Sequence, residues 1–217
     1  MKHQIVHEQL SDFDAEKIEQ LFKLHEKSFD KYIDLLLWWN DKVNLVSRGV
    51  PRETLYKHIE HSLVISRSNL YLNSKDIIDS GTGGGLPGIP LAIIDSEKSI
   101  SLNDVVSKKI MACKQIAGSL KLNNITTVSK SIEKVEIKAE TVIVSKHAFK
   151  IYDLIDMLQQ KPWKGIVLLK GKDEVGKELG GIEEELNIKI ISLEKGFSHS
   201  FYKGKAMVEI SRINKYL

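Results

Sequence analysis

The sequence predicts an α/β protein with a mainly parallel sheet and helices on both faces. Three observations support this fold class. Short apolar runs alternate with helical patterns from residue 76 onwards. A glycine-rich turn, residues 79–90, joins the first run to the first of these helices. The last two apolar runs are joined by residues 194–205 without a helical pattern, which predicts an antiparallel pair at the C-terminal end.

The residues before this alternation predict helices instead. Apolar residues recur at spacings of three and four over residues 12–39, and a second helical pattern covers residues 52–70. No strand pattern is evident in the first 73 residues. We therefore expect an N-terminal helical extension over residues 1–73 and a Rossmann-like domain over residues 74–217.

The sheet is predicted to have seven strands. The expected strands are 76–79, 99–103, 125–129, 141–145, 165–169, 188–193 and 206–213. The expected helices between them are 88–95, 105–122, 151–160 and 174–186. In such sheets, ligands bind beyond the carboxyl ends of the strands. The residues that follow each strand are therefore the candidates for a functional site.

The glycine-rich turn is the strongest candidate. Five of the eight residues from Gly81 to Gly88 are glycine, so a ligand can approach the backbone without meeting Cβ atoms. The helix that follows offers free N–H groups at its start. The turn therefore predicts a nucleotide-type cofactor site, with candidate contacts at its glycines, including Gly81, Gly83 and Gly85. The alternative is a glycine-rich loop without a ligand.

The residue that ends the first strand helps to identify the cofactor. Residues 83–88 satisfy G-x-G-x-x-G, the fingerprint of dinucleotide sites. However, Asp79 precedes the glycines, and a carboxylate there suits a cation better than a pyrophosphate. S-adenosylmethionine carries an ammonium and a sulfonium and has no phosphate. Together with the C-terminal hairpin, Asp79 favours a class I S-adenosylmethionine-dependent methyltransferase fold over an NAD-dependent oxidoreductase.

Each later strand end offers a candidate with a simpler alternative. Asp104 could bind ribose hydroxyls or cap the next helix. Ile132 and Glu133 could contact adenine or form a surface turn. His147 could act as a general base or have no role. Lys170 could hold a phosphate or a substrate base, or be a solvated turn residue.

Composition and charge narrow the class of protein. The 217 residues have a net charge of only +3, which permits a nucleic-acid partner without requiring one. Cys113 is the single cysteine, so no intramolecular disulfide is possible. His58 and His61 have a chelating spacing but no evident third ligand, so no metal is expected. The polar start, residues 1–4, and the absence of a long apolar run predict a cytoplasmic protein without a membrane span.

The motifs together resemble one family, the bacterial small-subunit rRNA guanine-N7 methyltransferases of the RsmG type, also called glucose-inhibited division protein B. The family's turn, D-x-G-T-G-x-G-x-P-G-I-P-L, is matched at residues 79–91. Its W-N-x-x-x-N-L segment is matched at residues 39–45. Its L-K-G element is matched at residues 169–171, and its H-x-x-D-S-L element at residues 58–63 with His61 in place of the acid. The resemblance covers essentially the whole chain.

The resemblance implies S-adenosylmethionine as cofactor and 16S rRNA or the small ribosomal subunit as partner. It implies that Gly81 and Leu86 line the cofactor pocket, Asp104 lies at the ribose, and Ile132 and Glu133 lie at the adenine. It further implies that a serine and an arginine after the fourth strand contact the cofactor; this chain has Ser145 and Lys146 there. We expect a monomer.

The implied reaction needs no general base, because guanine N7 is a lone-pair acceptor without a proton. No residue is therefore obligatory for catalysis, and the candidates are Lys146, His147 and Lys170. Lys146 and Lys170, with Lys203 and Lys205, are also candidates for contacts to RNA phosphates; the alternative for each is a solvated surface lysine. His61, Lys146 with His147, and residues 203–205 depart from the family pattern. These departures leave open a non-catalytic RNA-binding or ribosome-assembly factor as the alternative.

Overall fold

A computed structural model describes residues 3–213 and shows an eight-stranded sheet covered by helices. Residues 1, 2 and 214–217, which the predicted domains include, lie outside the described residues. The strands are β1 (Gln4–Gln9), β2 (Asp76–Ser80), β3 (Ser99–Asn103), β4 (Ile125–Val128), β5 (Val142–Lys146), β6 (Gly165–Gly171), β7 (Leu186–Ser192) and β8 (Lys205–Arg212). The helices are α1 (Asp12–Leu24), α2 (Glu26–Asn40), α3 (Arg52–Leu63), α4 (Asn69–Leu72), α5 (Gly88–Ile94), α6 (Ser107–Ser119), α7 (Ile151–Met157) and α8 (Lys172–Glu178).

The sheet order is β1-β7-β8-β6-β5-β2-β3-β4. Neighbouring strands run parallel except at β8, which is antiparallel to both β6 and β7. The predicted α/β class and the C-terminal antiparallel pair are therefore confirmed. The carboxyl ends of β2, β3, β5 and β6 lie along one edge of the sheet, because parallel strands point the same way.

The prediction of seven strands, with none in the first 73 residues, is wrong. β1 adds an eighth strand that pairs in parallel with β7, from Gln4 opposite Asn187 to Gln9 opposite Ser192. All six residues of β1 are exposed. A strand at the sheet edge with both faces in solvent needs no alternation of apolar and polar residues, so the sequence carries no period-two signal there.

Several helices also differ from their predicted bounds. The pattern over residues 52–70 forms α3 only as far as Leu63, and a short 3-10 helix and α4 follow. The predicted helix over residues 12–39 is two helices, because the chain turns at His25. α8 ends at Glu178, before Gly180 and Gly181, whereas the prediction extended it to residue 186. Glycine lowers helix stability because its backbone loses more entropy on ordering.

The core lies on both faces of the sheet. One cluster joins side chains of the helical extension, such as Phe29 and Tyr32, to sheet residues such as Ile77 and Val144. A second cluster packs α7 and α8 on the other face. The extension and the sheet therefore share one continuous core, which fixes α2 and α3 against the strand ends.

Candidate cofactor and substrate site

The glycine-rich turn leaves β2 at Ser80 and enters α5 at Gly88. The N–H groups of Gly81 and Thr82 both donate to the carbonyl of Asn103, at 2.8 and 3.0 Å, so β3 holds the start of the turn. Gly81 has a φ of 71°, in the left-handed region that favours glycine. A Cβ at Gly81 would also overlap the Cβ of Ala148. The turn thus requires glycine here for both its backbone conformation and its close packing.

The carboxylate of Asp79 stabilises the glycine-rich turn. Its side chain is fully buried, and its Oδ2 accepts hydrogen bonds from the hydroxyl of Thr82 at 2.6 Å and from the N–H of Gly88 at 2.8 Å. Its Oδ1 is buried and has no hydrogen-bond partner among the described residues. Burial raises the pKa of Asp79 to about 7, although both hydrogen bonds act in the opposite direction.

Asp104 connects the turn to the start of α6. Its Oδ2 accepts from the N–H of Gly83 at 3.1 Å, and its Oδ1 accepts from the N–H of Val106 at 2.9 Å. The predicted N-cap role is wrong, because α6 begins at Ser107 and its N-cap residue is Val106. The predicted ribose contact remains compatible with the position of Asp104 at the end of β3. One carboxylate stabilises the chain before α6 and also lies against the glycine-rich turn.

A cavity of about 220 Å³ opens beside the turn. Residues 81–84 and Leu86 form one wall, the loop residues Leu45, Val46, Ser47 and Val50 form another, and His58 and Lys146 complete it. Asn40 shapes this loop, because its side-chain oxygen accepts from the N–H groups of Leu45 and Val46, at 2.8 and 3.0 Å. The helical extension therefore contributes directly to the candidate site.

Lys146 is the positively charged side chain in the wall of this cavity. Its Nζ lies 3.1 Å from Nδ1 of His58. Burial lowers the pKa of Lys146 to about 8, and the negative charge of Asp79 partly opposes this effect. Burial lowers the pKa values of His58 and His147 to about 4, so both imidazoles are neutral at neutral pH.

His61 and His147 lie close to Lys146 but do not line the cavity. The two imidazole rings are 6.0 Å apart between centroids. His61 is fully buried, and neither ring nitrogen has a partner among the described residues. Burial lowers its pKa well below the usual value. His147 has a φ of 54°, an uncommon backbone conformation for a residue other than glycine.

Other predicted contacts lie outside the cavity wall. The hydroxyl of Ser145 donates to the carbonyl of Ser80 at 2.7 Å and so joins the ends of β5 and β2. Ile132 is buried, whereas Glu133 is exposed and accepts from the hydroxyl of Ser131 at 3.2 Å. Gly85 has a φ of 97° and packs on Ile89.

Lys170 has a different environment from the one predicted. Its ammonium donates to the carbonyl of Phe149 at 2.7 Å and pairs with Glu178 at 2.9 Å. Its side chain is only 5% exposed, so Phe149 and Glu178 pair with its ammonium inside the protein. Lys170 is therefore not available to bind an RNA phosphate. Lys203 is exposed, and Lys205 is half-buried against the ring of Phe201.

Sequence reasoning missed three contributors to the site. The hydroxyl of Tyr32 donates to the carbonyl of Gly84 at 2.9 Å. Asn40 holds the loop that lines the cavity. His58 lies in the cavity wall beside Lys146. The W-N-x-x-x-N-L segment was the available signal, because it places a polar cap just after an apolar helix.

The residues present fit S-adenosylmethionine. The turn exposes backbone beside the cavity, Asp104 provides a carboxylate at the end of β3, and Asp79 retains an unpartnered buried oxygen. Within residues 3–213, no group of three or more histidine, cysteine or carboxylate side chains is arranged to hold a metal ion. No helix in the same range is long and apolar enough to cross a membrane.

Comparison with known sequences identifies one family. The family model described as rRNA small subunit methyltransferase G matches residues 25–200. A protein of that name from Vibrio vulnificus is 36% identical over 172 residues, which cover 75% of this chain and 80% of the relative. One from Chlorobaculum tepidum is 35% identical over 167 residues, covering 76% and 73%. For one from Chlorobium chlorochromatii, 40% identical over 131 residues, the match spans 59% of this chain and only 56% of the relative.

Solved structures agree on the fold. An S-adenosylmethionine-dependent O-methyltransferase from Thermotoga maritima superposes with a TM-score of 0.53 at 13% identity, covering 86% of this chain and 72% of that one. A ribosomal protein L11 methylase from Lactobacillus delbrueckii superposes with a TM-score of 0.50 at 15% identity, covering 72% and 79%. At such low identity these matches establish the fold alone, and they confirm the predicted class I methyltransferase fold.

Proposed function

Because the chain belongs to the rRNA small subunit methyltransferase G family, we propose that it transfers a methyl group from S-adenosylmethionine to N7 of a guanine in small-subunit (16S) rRNA. We further propose that it acts as a cytoplasmic monomer. The alternative of an NAD-dependent oxidoreductase is not retained, because the family and the fold are those of methyltransferases.

The cavity between the glycine-rich turn and Lys146 is the observation that supports this proposal most strongly. One wall is formed mainly by glycines of the turn, and the cavity is completed by a lysine without a carboxylate partner among the described residues. When bound, S-adenosylmethionine supplies a methyl group on a positively charged sulfur. We assign its ribose to Asp104, its adenine to the region of Ile132 and Glu133, and its carboxylate to Lys146.

The protein contributes to the reaction by positioning the guanine base and the methyl donor and by excluding water. Guanine N7 carries a lone pair and no proton, so no side chain has to remove one. His58 and His147 are neutral at neutral pH, and the reaction requires neither of them to donate or accept a proton. Holding the base and the methyl donor in line can supply much of the rate enhancement. Residues 45–50 would shield the reacting atoms from solvent.

One observation favours the alternative of a non-catalytic assembly factor. His61 stands where the family pattern has an acid, and both of its ring nitrogens are buried without partners. Unsatisfied buried polar groups are costly, so this position is not optimised for stability. His61 is close enough to Lys146 for that charge to contribute, after burial, to lowering the His61 pKa, so the departure lies near the lysine assigned to the cofactor carboxylate.

Two measurements test the proposal. Calorimetry should detect binding of S-adenosylmethionine and not of NAD. Labelled S-adenosylmethionine should then transfer its methyl group to small ribosomal subunits that lack the modification, and the product should be N7-methylguanine. Cofactor binding without incorporation into subunits or naked rRNA would favour the assembly factor. Binding of NAD without S-adenosylmethionine would refute both.

A further inference from the structure

The segment that contains α6 has an unusual charge distribution. Residues 105–132 include five lysines and no aspartate, glutamate or arginine, although the chain as a whole is nearly neutral. Lys108 and Lys114 are exposed on α6 at a spacing of six residues, and Met111 lies between them. Residues three apart share a helix face, so these side chains form one row along the exposed side of α6.

Apolar side chains are exposed on the same part of the molecule. Val105 is 68% exposed, Val106 is 41% exposed and Met111 is 49% exposed. They surround the start of α6, where Asp104 contacts the glycine-rich turn. Exposed apolar groups that cluster beside a functional site indicate an interaction surface more often than scattered ones do.

A second helix extends this surface. α2 runs antiparallel to α6, because Lys31 of α2 donates to the carbonyl of Ser119 at the end of α6, at 2.6 Å. Further along both helices, Leu36 packs on Gly84 and the thiol of Cys113 donates to the carbonyl of Gly83 at 3.3 Å. The end of α2 and the turn after it therefore lie towards the first half of α6.

The end of α2 carries an exposed aromatic ring and a cation. Trp38 is 54% exposed, and the ammonium of Lys42 lies 3.3 Å from its ring centroid. Asp34, a nearby acid of α2, is neutralised by an ion pair with Arg52. Asp41 is the remaining exposed acid in this turn. The loop that supplies Leu45, Val46, Ser47 and Val50 to the cavity wall follows directly.

We propose that Trp38 and Lys42, together with Lys108, Met111 and Lys114, form an RNA-binding surface beside the methyl-transfer site. We call these five residues the α2–α6 surface. Lysines there bind backbone phosphates, and the exposed part of the Trp38 indole stacks on an unpaired base flanking the target. This inference rests on the proposed function, since it names the surface that presents the rRNA to the cavity.

The charge and the aromatic ring together favour RNA over an acidic protein. An acidic protein would need lysines alone, whereas a flat exposed indole beside cations matches single-stranded nucleic acid. The surface adjoins the cavity through Asp104 and residues 45–50, so a strand bound there leads directly to the cavity.

The test measures binding of the full chain to an end-labelled, unmodified small-subunit rRNA transcript at several salt concentrations. The Lys108→Ala/Lys114→Ala double variant should reduce the slope of log K against log salt by roughly 1.5, because each phosphate contact contributes about 0.7–0.9. Trp38→Ala should weaken binding about fivefold or more with little change in slope, and Trp38→Phe should restore part of the loss. The matched control, Lys177→Ala/Lys195→Ala, removes two exposed lysines near the opposite edge of the sheet.

The outcomes separate this inference from the proposed function. An unchanged slope in the Lys108/Lys114 variant, or an equal change in the control, would overturn the RNA-binding surface. Loss of binding to assembled subunits with unchanged binding to the naked transcript would assign the surface to a ribosomal protein, and would also overturn it. Because binding is measured without methyl transfer, failure of the proposed activity would leave this result readable.

Discussion

The buried hydroxyl of Tyr32 on α2 donates a hydrogen bond of 2.9 Å to the backbone carbonyl of Gly84. This contact joins the helical extension to the turn that forms one wall of the cavity. Leu36, one turn further along α2, packs against the same glycine. The shape of the turn therefore depends on a helix more than forty residues earlier in the sequence.

Tyr32→Phe tests this dependence. The change removes one buried hydrogen bond and leaves the Gly84 carbonyl without its donor, which should lower the free energy of unfolding by about 1–3 kcal/mol. It should also weaken S-adenosylmethionine binding, because the turn loses a support. Urea unfolding and calorimetry measure the two effects. Tyr71→Phe is the matched control, since the Tyr71 hydroxyl is buried without a partner. Equal effects from the two variants would refute the role of Tyr32.

Asp79→Asn tests the protonation of the buried carboxyl. Burial raises its pKa from the usual 3.8 to about 7 in the folded chain, so the folded state binds a proton between these values that the unfolded state releases. The contribution of this group to stability is therefore complete below about pH 4 and is lost as the pH rises through 7. Asparagine mimics the protonated form. In the absence of cofactor, the free energy of unfolding of Asp79→Asn should rise relative to that of the wild type as the pH is raised from about 5 to about 8. A difference that stays constant over this range would contradict the raised pKa of Asp79.

Lys146 and His147 should respond differently to substitution. Lys146→Met removes the cation of the cavity wall and should lower kcat/KM at least tenfold, because a charge-assisted hydrogen bond contributes roughly 1.5–3 kcal/mol. His147→Asn should change kcat/KM by less than about threefold, since N7 methylation requires no base and asparagine tolerates the backbone conformation at this position. Steady-state assays on small subunits measure both. A larger loss in His147→Asn, with an altered pH profile, would indicate a proton-transfer role.

The Lys170–Glu178 pair should be structural. Lys170→Met leaves the largely buried Glu178 without its cation, and the free energy of unfolding should fall by about 3–5 kcal/mol. Glu8→Gln breaks the exposed pair with Lys189 and should cost less than about 1 kcal/mol. Chemical denaturation compares the two variants. A soluble, stable Lys170→Met protein with weakened RNA binding would instead support the phosphate contact expected from the sequence.

The sequence predicted the features that depend on local pattern. The alternation from residue 76, the glycine-rich turn and the C-terminal antiparallel pair follow from apolar periodicity and from glycine chemistry, and the structure confirms them. The position of Asp104 was also predictable, because a parallel sheet brings successive strand ends to one edge.

The remaining features depend on contacts between distant segments. β1 has no apolar face, so only its pairing with β7 reveals it as a strand. The Lys170–Glu178 and Lys146–His58 contacts join residues that no sequence spacing relates. Asp79 was expected from the sequence to lie at the cofactor. In the structure its buried carboxylate accepts hydrogen bonds that stabilise the glycine-rich turn, and it does not line the cavity.

The pairing of β1 with β7 also constrains the order in which the chain can fold during synthesis. Gln4 is synthesised before β2 to β6, but its partner Asn187 is synthesised only after them. β1 therefore remains unpaired while most of the domain is synthesised, and its backbone hydrogen-bonding groups bind water during that time. Closing a contact of such high sequence separation is slow compared with forming local helices. β1 is thus expected to be the last strand to join the sheet, after the glycine-rich turn has formed.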